Sequence, residues 1–352
     1  MLTGRATRRR HPALGMRWIT HQDARWPVRR AWPAGDGVVA VELVNAFGEA
    51  IGATVGEGGE VDLLAVDEAL PTLAGWRSRV DATVVAHRPG KRAVVRVAGG
   101  TGRCTYVKIA TPRAAARALE RMATVFGLIT GVAAAPGLPA VLSDDLAAGE
   151  LVLKLLPGTS LAQLVATDAV EPARRGGAAA GRTIAALASC RGDGLPEHTA
   201  DDEITVLDRW VDDALSYGAV TGVGADKLRR RRDGAIEGLL GLTRRAARRA
   251  TLAHRDLHDG QLLIGHDRDG PVGLLDWDTA SAAAPALDAG NLLAHLDRLG
   301  ARHQMSATAC AHALAASARA AGHPAWTEDP AELAAWRIAA GVRLDAVHAF
   351  RS

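Results

Sequence analysis

The stretch that decides the fold is His254-Arg255-Asp256-Leu257-His258-Asp259-Gly260-Gln261, followed fifteen residues after the glutamine by Asp276 in Leu274-Leu275-Asp276-Trp277-Asp278. Two short apolar runs, 262–264 and 272–275, are joined by a turn-rich link. If these runs pair antiparallel, Asp256, Gln261 and Asp276 come to one end of a hairpin. Phosphoryl transfer needs such a set, because a carboxylate must accept the proton of a hydroxyl while oxygen ligands hold magnesium on the phosphates.

The whole pattern is much harder to meet by chance than its His-Arg-Asp part. The alternative is a hairpin whose acids serve only as turn formers and caps, but apolar strands rarely end in two acids flanking a Trp without a ligand. The pattern resembles the catalytic and metal-binding segments of the aminoglycoside phosphotransferase/choline kinase family, which has the protein-kinase-like fold. That resemblance covers about residues 84–300. It implies that Asp256 is the catalytic acid and that Asp276 binds magnesium.

Gln261 departs from the family pattern, in which most members have Asn at this position. A Gln carbonyl still binds a hard cation, although its longer arm shifts the geometry. A Gln at this position resembles the pattern of bacterial maltokinases and related amino-sugar kinases. Those proteins usually have Gly where Arg255 stands, and a Phe-Glu pair after the second Asp.

Lys108 stands out because the chain has only four lysines among 42 basic residues. In Thr105-Tyr106-Val107-Lys108-Ile109-Ala110 a strand would carry it, and such a Lys can bind phosphates as a point charge. The alternative is a surface lysine on an edge strand.

A helix is predicted from Thr111-Pro112 to about Phe126, with Gly127 as its terminator and Ala115, Leu119, Met122 and Phe126 as its apolar stripe. Glu120 borders that stripe. The arrangement resembles the Lys–Glu ion pair of the kinase fold, so Glu120 is expected to hold Lys108. The alternative is an exposed pair with Arg117 or Arg121.

Two further segments are predicted to bind nucleotide. Residues 84–97 form a hairpin whose turn holds one Gly and three cations, which resembles a phosphate-covering loop. The strand 151–156 ends in Pro157-Gly158, where the family has the hinge that binds adenine, so the resemblance implies that Leu155 and Leu156 contact the base.

After Asp278 the chain has no Ala-Pro-Glu segment and no long activation loop, which disfavours a protein kinase and favours a small-molecule acceptor. Asp278 is a candidate for a second metal or for the acceptor. Asp288 is expected to cap the next helix and, with His254, to brace the catalytic loop.

Composition excludes several classes of protein. The net charge of +3 does not favour nucleic acid, and 48% hydrophobic residues are too many for disorder. No apolar run is long enough to span a membrane, and no apolar segment follows the N-terminal arginines as in a secretory signal. Three widely spaced cysteines fit a reducing cytoplasm.

The predicted fold class is α+β, a protein-kinase-like two-lobe fold with a cap sheet. We expect a basic, partly flexible N-terminal arm (1–30), a cap subdomain (31–80), a β-rich nucleotide-binding lobe (81–156) and a mostly helical lobe with the catalytic loop and acceptor site (157–352).

The predicted function is phosphorylation of a small-molecule hydroxyl with ATP and Mg²⁺, most simply on a sugar or amino sugar. One alternative is a cationic aminoglycoside, which would suit the acids at Asp201, Asp202, Glu203, Asp208, Asp212 and Asp213 unless these are the solvated face of a helix. The other is a nucleotide-binding pseudokinase or regulatory protein, whose only support is Gln261.

Overall fold

The structure is a computed structural model that describes residues 10–21, 23–99, 104–243, 250–265 and 272–351. Residues 1–9 of the predicted arm lie outside the described residues. No helix in these ranges is long and apolar enough to cross a membrane.

The N-terminal sheet has five antiparallel strands in sequence order: β1 Trp18–His21, β2 Ala24–Pro33, β3 Val39–Val44, β4 Ala50–Val55 and β5 Val61–Leu63. The predicted arm is therefore too long, because β1 and most of β2 lie within it. The arginines of β2 suggested a solvated segment, yet Arg29 pairs with buried Glu42 of β3 at 2.7 Å. A strand can carry cations when its neighbour supplies the counter-charge.

A short helix, α1 (Leu73–Arg77), leads into a second five-stranded sheet in the order β6-β7-β8-β10-β9. Its strands are β6 Ala82–Arg88, β7 Arg92–Ala98, β8 Cys104–Ala110, β9 Val141–Asp145 and β10 Glu150–Lys154. The strand that carries Lys108, β8, is central and paired on both sides, so Lys108 is not on an edge strand.

Helix α2 (Pro112–Ile129) follows β8 and differs from prediction in length and rotation. It continues through Gly127, where an added Cβ would meet open space. Its buried residues are Ala115, Ala118, Met122, Val125 and Ile129. Phe126 is 64% exposed. The buried face is thus rotated away from the predicted stripe.

The C-terminal part is mostly helical, with helices α3 Leu161–Ala166, α4 Val170–Ser189, α5 Ala200–Ser216, α6 Gly222–Thr243, α7 Ala286–Gly300, α8 Gln304–Ala320, α9 Pro324–Thr327 and α10 Pro330–Ala349. Helix α7 is buried along most of its length. Small aliphatic residues and glycines let the helices approach closely: a Cβ on Gly290 would lie 2.7 Å from the backbone nitrogen of Arg337.

Two small sheets carry the segments that contain Asp256, Gln261 and Asp276. One has the order β11-β14-β15 and the other β12-β16-β13, from β11 Thr159–Ser160, β12 Glu197–His198, β13 Thr251–Ala253, β14 Leu262–Ile264, β15 Val272–Leu274 and β16 Ser281–Ala283. The predicted hairpin is present, with Leu262 opposite Leu274 in antiparallel register. The α+β class, with a β-rich N-terminal part and a helical C-terminal part, is confirmed.

Candidate active site

Asp288 fixes the start of the catalytic loop. Its two carboxylate oxygens accept hydrogen bonds from the backbone N–H groups of His254 and Arg255, at 2.7 and 2.8 Å. Burial raises the pKa of the Asp288 carboxyl, although the charge of His254 and these two donors oppose the rise. Asp288 lies inside α7 and does not cap it, because the N-cap is Pro285. Its position inside α7 leaves both oxygens for the loop.

His254 ties the same loop to the strand that precedes Asp276. Its Nε2 donates to the carbonyl oxygen of Leu275 at 2.8 Å, and its ring packs 4.8 Å from that of Trp277. The loop and the second acidic segment are therefore held together by a buried side chain.

Asp256 is half-buried, and no hydrogen bond or ion pair within the described ranges occupies its carboxylate. The residue before it, Arg255, has a positive φ of 71°. Side chains with a Cβ rarely adopt this conformation, which glycine adopts without strain. Arg255 adopts the same backbone at a cost, and such strain is typical of functional loops.

His258 and Asp259 shape the remainder of the loop. The His258 Nδ1 accepts a hydrogen bond from the Gly260 N–H at 3.0 Å, so the proton of the neutral ring is on Nε2. Asp259 lies 3.3 Å from Nδ1 of His295 on α7. These contacts join the loop to α7 a second time.

Gln261 is buried at the start of β14. Its backbone is fully used, donating to His258 and accepting from the Leu275 N–H at 3.2 Å. Its side-chain oxygen Oε1 is buried and has no hydrogen-bond partner among the described residues. Because an unpaired buried carbonyl is costly, the position is suited to a cation that the oxygen would bind.

Asp276 lies between the two lobes and is held by two cations. Oδ1 is 2.6 Å from Nζ of Lys108, and Oδ2 is 3.0 Å from Nη1 of Arg92. Although burial raises its pKa, the charges of Lys108 and Arg92 outweigh burial and hold the pKa of Asp276 well below its ordinary value. Asp276 is thus an anion at neutral pH, as a metal ligand must be.

Asp278 lies beside Asp276 and shares its lysine, with Oδ2 2.5 Å from Nζ of Lys108. Its backbone carbonyl accepts a hydrogen bond from Arg121 of α2. Helix α2 therefore meets the acidic segment directly, and its arginine makes the contact.

The predicted ion pair between Lys108 and Glu120 is not formed in this structure. Lys108 pairs with Asp276 and Asp278, and Glu120 is exposed. The physical reason is the rotation of α2, which turns Arg121 toward the acidic segment and Glu120 toward solvent. Two adjacent carboxylates also offer Lys108 a stronger counter-charge than one exposed Glu.

Leu155 and Leu156 lie in the connection between β10 and β11, which joins the two lobes. Leu155 is 46% exposed, whereas Leu156 packs near Gly273 of β15. Within the described residues, neither backbone takes part in a hydrogen bond to other backbone. These peptide groups are therefore free to bind a base.

Three residues near the site were missed or undervalued from sequence. Arg92 was one of three cations in a basic turn, and Arg121 was considered only as a partner of Glu120. Asn291 carried no signal. It donates to the carbonyl oxygen of Leu257 at 3.0 Å and accepts from Arg343 at 2.6 Å, which supports the residue that follows Asp256. The packing of α10 on α7 brings Arg343 to Asn291, and the sequence does not encode that contact.

The acids at 201–213 are largely engaged within the protein. Glu203 is buried between His198 and Arg343, and Asp202 forms a capping box with Thr199. Asp208 and Asp212 both lie within 4 Å of Arg232 of α6, at 3.7 and 3.6 Å. Among the described residues, however, Asp201 and Asp213 take part in no ion pair, and the side chains of Asp208 and Asp212 are 43% and 69% exposed. Part of the negative charge of this cluster is therefore open to solvent.

The fold and this site define a class of protein: a two-lobed phosphotransferase with a kinase-like arrangement of a strand lysine, a loop acid and a second acid after a hairpin. The model of the phosphotransferase enzyme family (APH) matches residues 83–336. The chain belongs to that family. It is a small-molecule phosphotransferase whose acceptor group is a hydroxyl.

Two solved structures with TM-scores above 0.5 show the same fold at low sequence identity, and a third is similar below that value. Aminoglycoside phosphotransferase APH(3'')-Id from Streptomyces rimosus is 17% identical with a TM-score of 0.52, over 79% of this chain and 96% of that chain. Aminoglycoside-3'-phosphotransferase of type VIII is 20% identical with a TM-score of 0.51, over 78% and 98%. A glucosamine kinase is 21% identical with a TM-score of 0.49, over 92% and 89%. No curated protein matches significantly.

Proposed function

We propose that this protein transfers the terminal phosphoryl group of ATP to a hydroxyl of a sugar or amino sugar, with Mg²⁺ as cofactor, in the cytoplasm. The observation that carries the proposal is the meeting of Lys108, from the central strand of one lobe, with Asp276 of the other. Phosphoryl transfer between lobes requires a cation for the phosphates and an acid for the metal at the same point.

The residues present fit a magnesium ion. Gln261 offers a buried oxygen without a partner, and Asp276 is an anion beside it in the hairpin. We infer that these two residues would hold the metal and that Asp278 would assist. Bound there, magnesium would neutralise charge on the phosphates.

Lys108 and Arg92 would bind the phosphates when the metal takes Asp276. Both side chains lie in the cleft between the lobes, where each contacts the Asp276 carboxylate. The free peptide groups of Leu155 and Leu156 would bind the base. Only 12% of the Lys108 side chain is exposed. Burial weakens the screening by water and so strengthens the charge interactions of its ammonium group.

Asp256 would orient the acceptor hydroxyl and accept its proton. The oxygen–phosphorus bond to the acceptor forms as the bond to ADP breaks, and the proton goes to the Asp256 carboxylate. Within the part of the chain that the structure describes, no side chain or backbone group binds the Asp256 carboxylate, which supports the role because its oxygens could accept a hydroxyl.

A sugar or amino sugar is proposed as the acceptor ahead of a polycationic aminoglycoside. Of the acids of α5, Glu203 is buried in an ion pair with Arg343 and Asp202 caps its own helix, while Arg232 offsets only part of the charge of Asp208 and Asp212. The pseudokinase alternative rests on Gln261 alone. The buried, unpaired Oε1 favours a working ligand over a lesion.

The experiment that tests this function is a coupled ADP-release screen over sugars, amino sugars, aminoglycosides and amino alcohols. We expect acceptor-dependent ADP release with a sugar or amino sugar that is lost when Mg²⁺ is chelated. Nucleotide binding without turnover on any acceptor would instead support the regulatory protein. Turnover restricted to aminoglycosides would support the antibiotic-modifying alternative.

A further inference from the structure

The cap, which comprises the N-terminal sheet β1–β5 and the segment up to α1, contacts the second sheet through buried polar groups. These groups converge on one hairpin. This hairpin is formed by β6, the turn 89–91 and β7, and we call it the phosphate hairpin. His87 is fully buried near its tip. Its Nδ1 accepts a hydrogen bond from the Gly52 N–H of β4 at 2.7 Å, and its Nε2 donates to Oδ2 of Asp67 at 2.9 Å. The tautomer of His87 is therefore fixed by the cap on both sides.

Asp67 and Glu42 also hold the hairpin backbone. Oδ2 of Asp67 accepts from the Gly90 N–H at 2.8 Å, and Oε2 of Glu42 accepts from the His87 N–H at 2.7 Å. Arg29 adds a hydrogen bond to the carbonyl oxygen of Val85 at 2.5 Å. Three cap side chains thus bind three backbone groups of β6 and the turn that follows it.

Attaching one sheet to another through these contacts requires the burial of charged groups, which costs free energy. Asp67 is 5% exposed and Glu42 is 1% exposed, and buried carboxylates are stabilising only when fully hydrogen-bonded. Apolar packing alone would attach the cap without this desolvation cost. Hydrogen bonds are directional, however, so they fix where the hairpin backbone lies in a way that apolar contact does not.

The backbone that these hydrogen bonds hold leads directly to Arg92, which is proposed to bind the phosphates. Gly90 is two residues from Arg92, and Arg92 pairs across the hairpin with Arg88 while its guanidinium contacts Asp276. A Cβ on Gly52 would lie 2.8 Å from the His87 ring, so the cap strand and the hairpin are fitted to each other without spare room.

We propose that His87 and Asp67 are positioning residues for the nucleoside triphosphate, through which the cap holds the phosphate hairpin and sets the place of Arg92. This inference rests on the proposed function, because it names the structural support of the same nucleotide site. In this proposal neither residue binds the phosphates directly. Their effect passes through Gly90 and the hairpin backbone to Arg92.

The test compares Asp67→Asn, Asp67→Ala and His87→Gln with the matched control Asp62→Asn, which changes an exposed carboxylate on β5 of the same sheet. Backbone amide exchange of residues 86–93 is measured in the nucleotide-free protein. We expect exchange in this hairpin to accelerate by about tenfold or more, as for loss of a local opening barrier, while strand β3 stays protected. The control should exchange as the wild type does.

Steady-state kinetics provide the second measurement. The KM for ATP should rise by about tenfold in Asp67→Asn with the acceptor KM nearly unchanged, because the hairpin serves only the nucleotide. A purely structural role for Asp67 would raise exchange in the cap and the hairpin together and leave the ratio of the two KM values unchanged. That result would overturn the proposal.

The two proposals fail separately. A wild-type protein without turnover on any acceptor would refute the proposed function, and amide exchange of the hairpin would still decide whether the cap holds it. An active wild type whose hairpin exchange is unchanged in Asp67→Asn would refute the positioning role alone. If Asp67→Ala does not fold, Asp67→Asn and His87→Gln still give the answer.

Discussion

The ammonium nitrogen of Lys108 lies 2.6 Å from Oδ1 of Asp276, although the two residues are 168 positions apart in the chain. This contact joins the central strand of the nucleotide lobe to the hairpin that follows the catalytic loop. Lys108 also contacts Asp278, at 2.5 Å. The lysine is therefore held by the carboxylate proposed to bind the metal together with its acidic neighbour.

Lys108→Ala should lower kcat/KM for ATP by about a hundredfold or more, because a charge that neutralises developing phosphate charge is lost. Glu120→Gln should change kcat/KM by less than about twofold, as expected for an exposed group. Steady-state kinetics with varied ATP provide the comparison. A large effect of Glu120→Gln would restore the pair that the structure rejects.

Asp256→Ala should leave ATP binding largely intact and reduce turnover by about a thousandfold, the range for a group that orients the nucleophile and takes its proton. Nucleotide affinity is measured by calorimetry and turnover by ADP release. The matched control is Asp144→Ala, an exposed carboxylate on β9. Near-normal rates in Asp256→Ala would refute the assigned catalytic loop.

Asp276→Asn should raise the magnesium concentration needed for half-maximal activity sharply, because a hard divalent cation loses a charged oxygen ligand. The measurement is a magnesium titration at saturating ATP. A titration curve that matches the wild type would remove Asp276 from the metal site.

Gln261→Asn tests whether the longer amide is tuned to this geometry. We expect a moderate loss of activity, of about tenfold, because the shorter arm withdraws the buried oxygen from the metal. The same magnesium titration reports it. A gain in activity would mean that Gln261 is a partial lesion and would favour the regulatory protein.

His323 should make the protein sensitive to mild acid. It caps α9 by accepting the Ala325 N–H at Nδ1, and burial lowers its pKa from 6.5 to about 4. The unfolded chain therefore takes up a proton near pH 6.5, before the folded protein does. Stability falls as pH drops from about 6.5 to about 4, by about 3 kcal/mol in total for this one group.

Urea unfolding at several pH values measures this effect. His323→Asn keeps a capping oxygen but does not titrate, so the loss of stability between these pH values should be smaller than in the wild type. His312→Asn, on the exposed face of α8, should keep the wild-type dependence. An identical pH dependence in His323→Asn and the wild type would contradict the assignment.

The local segments of this fold were predictable from sequence. The hairpin from Leu262 to Leu274 follows from two apolar runs and a turn, and the mostly helical C-terminal part follows from its abundance of alanine and arginine, which favour helix. Asp256, Gln261 and Asp276 were placed at one end of that hairpin because all three lie within a few residues of its strands. Such inferences depend only on contacts that are local in the chain.

Sequence alone fixed the reaction class and its hairpin, because loop acids and strand periods are encoded over a few residues. Tertiary structure decided the partner of Lys108, since a rotation of α2 by about one residue turns Glu120 outward and Arg121 inward. It also decided that the arginine-rich segment 24–30 forms a sheet strand, because the neighbouring strand provides Glu42 as a counter-charge for Arg29. Long-range charge pairing depends on how elements pack, and the spacing of residues along the chain does not encode that packing.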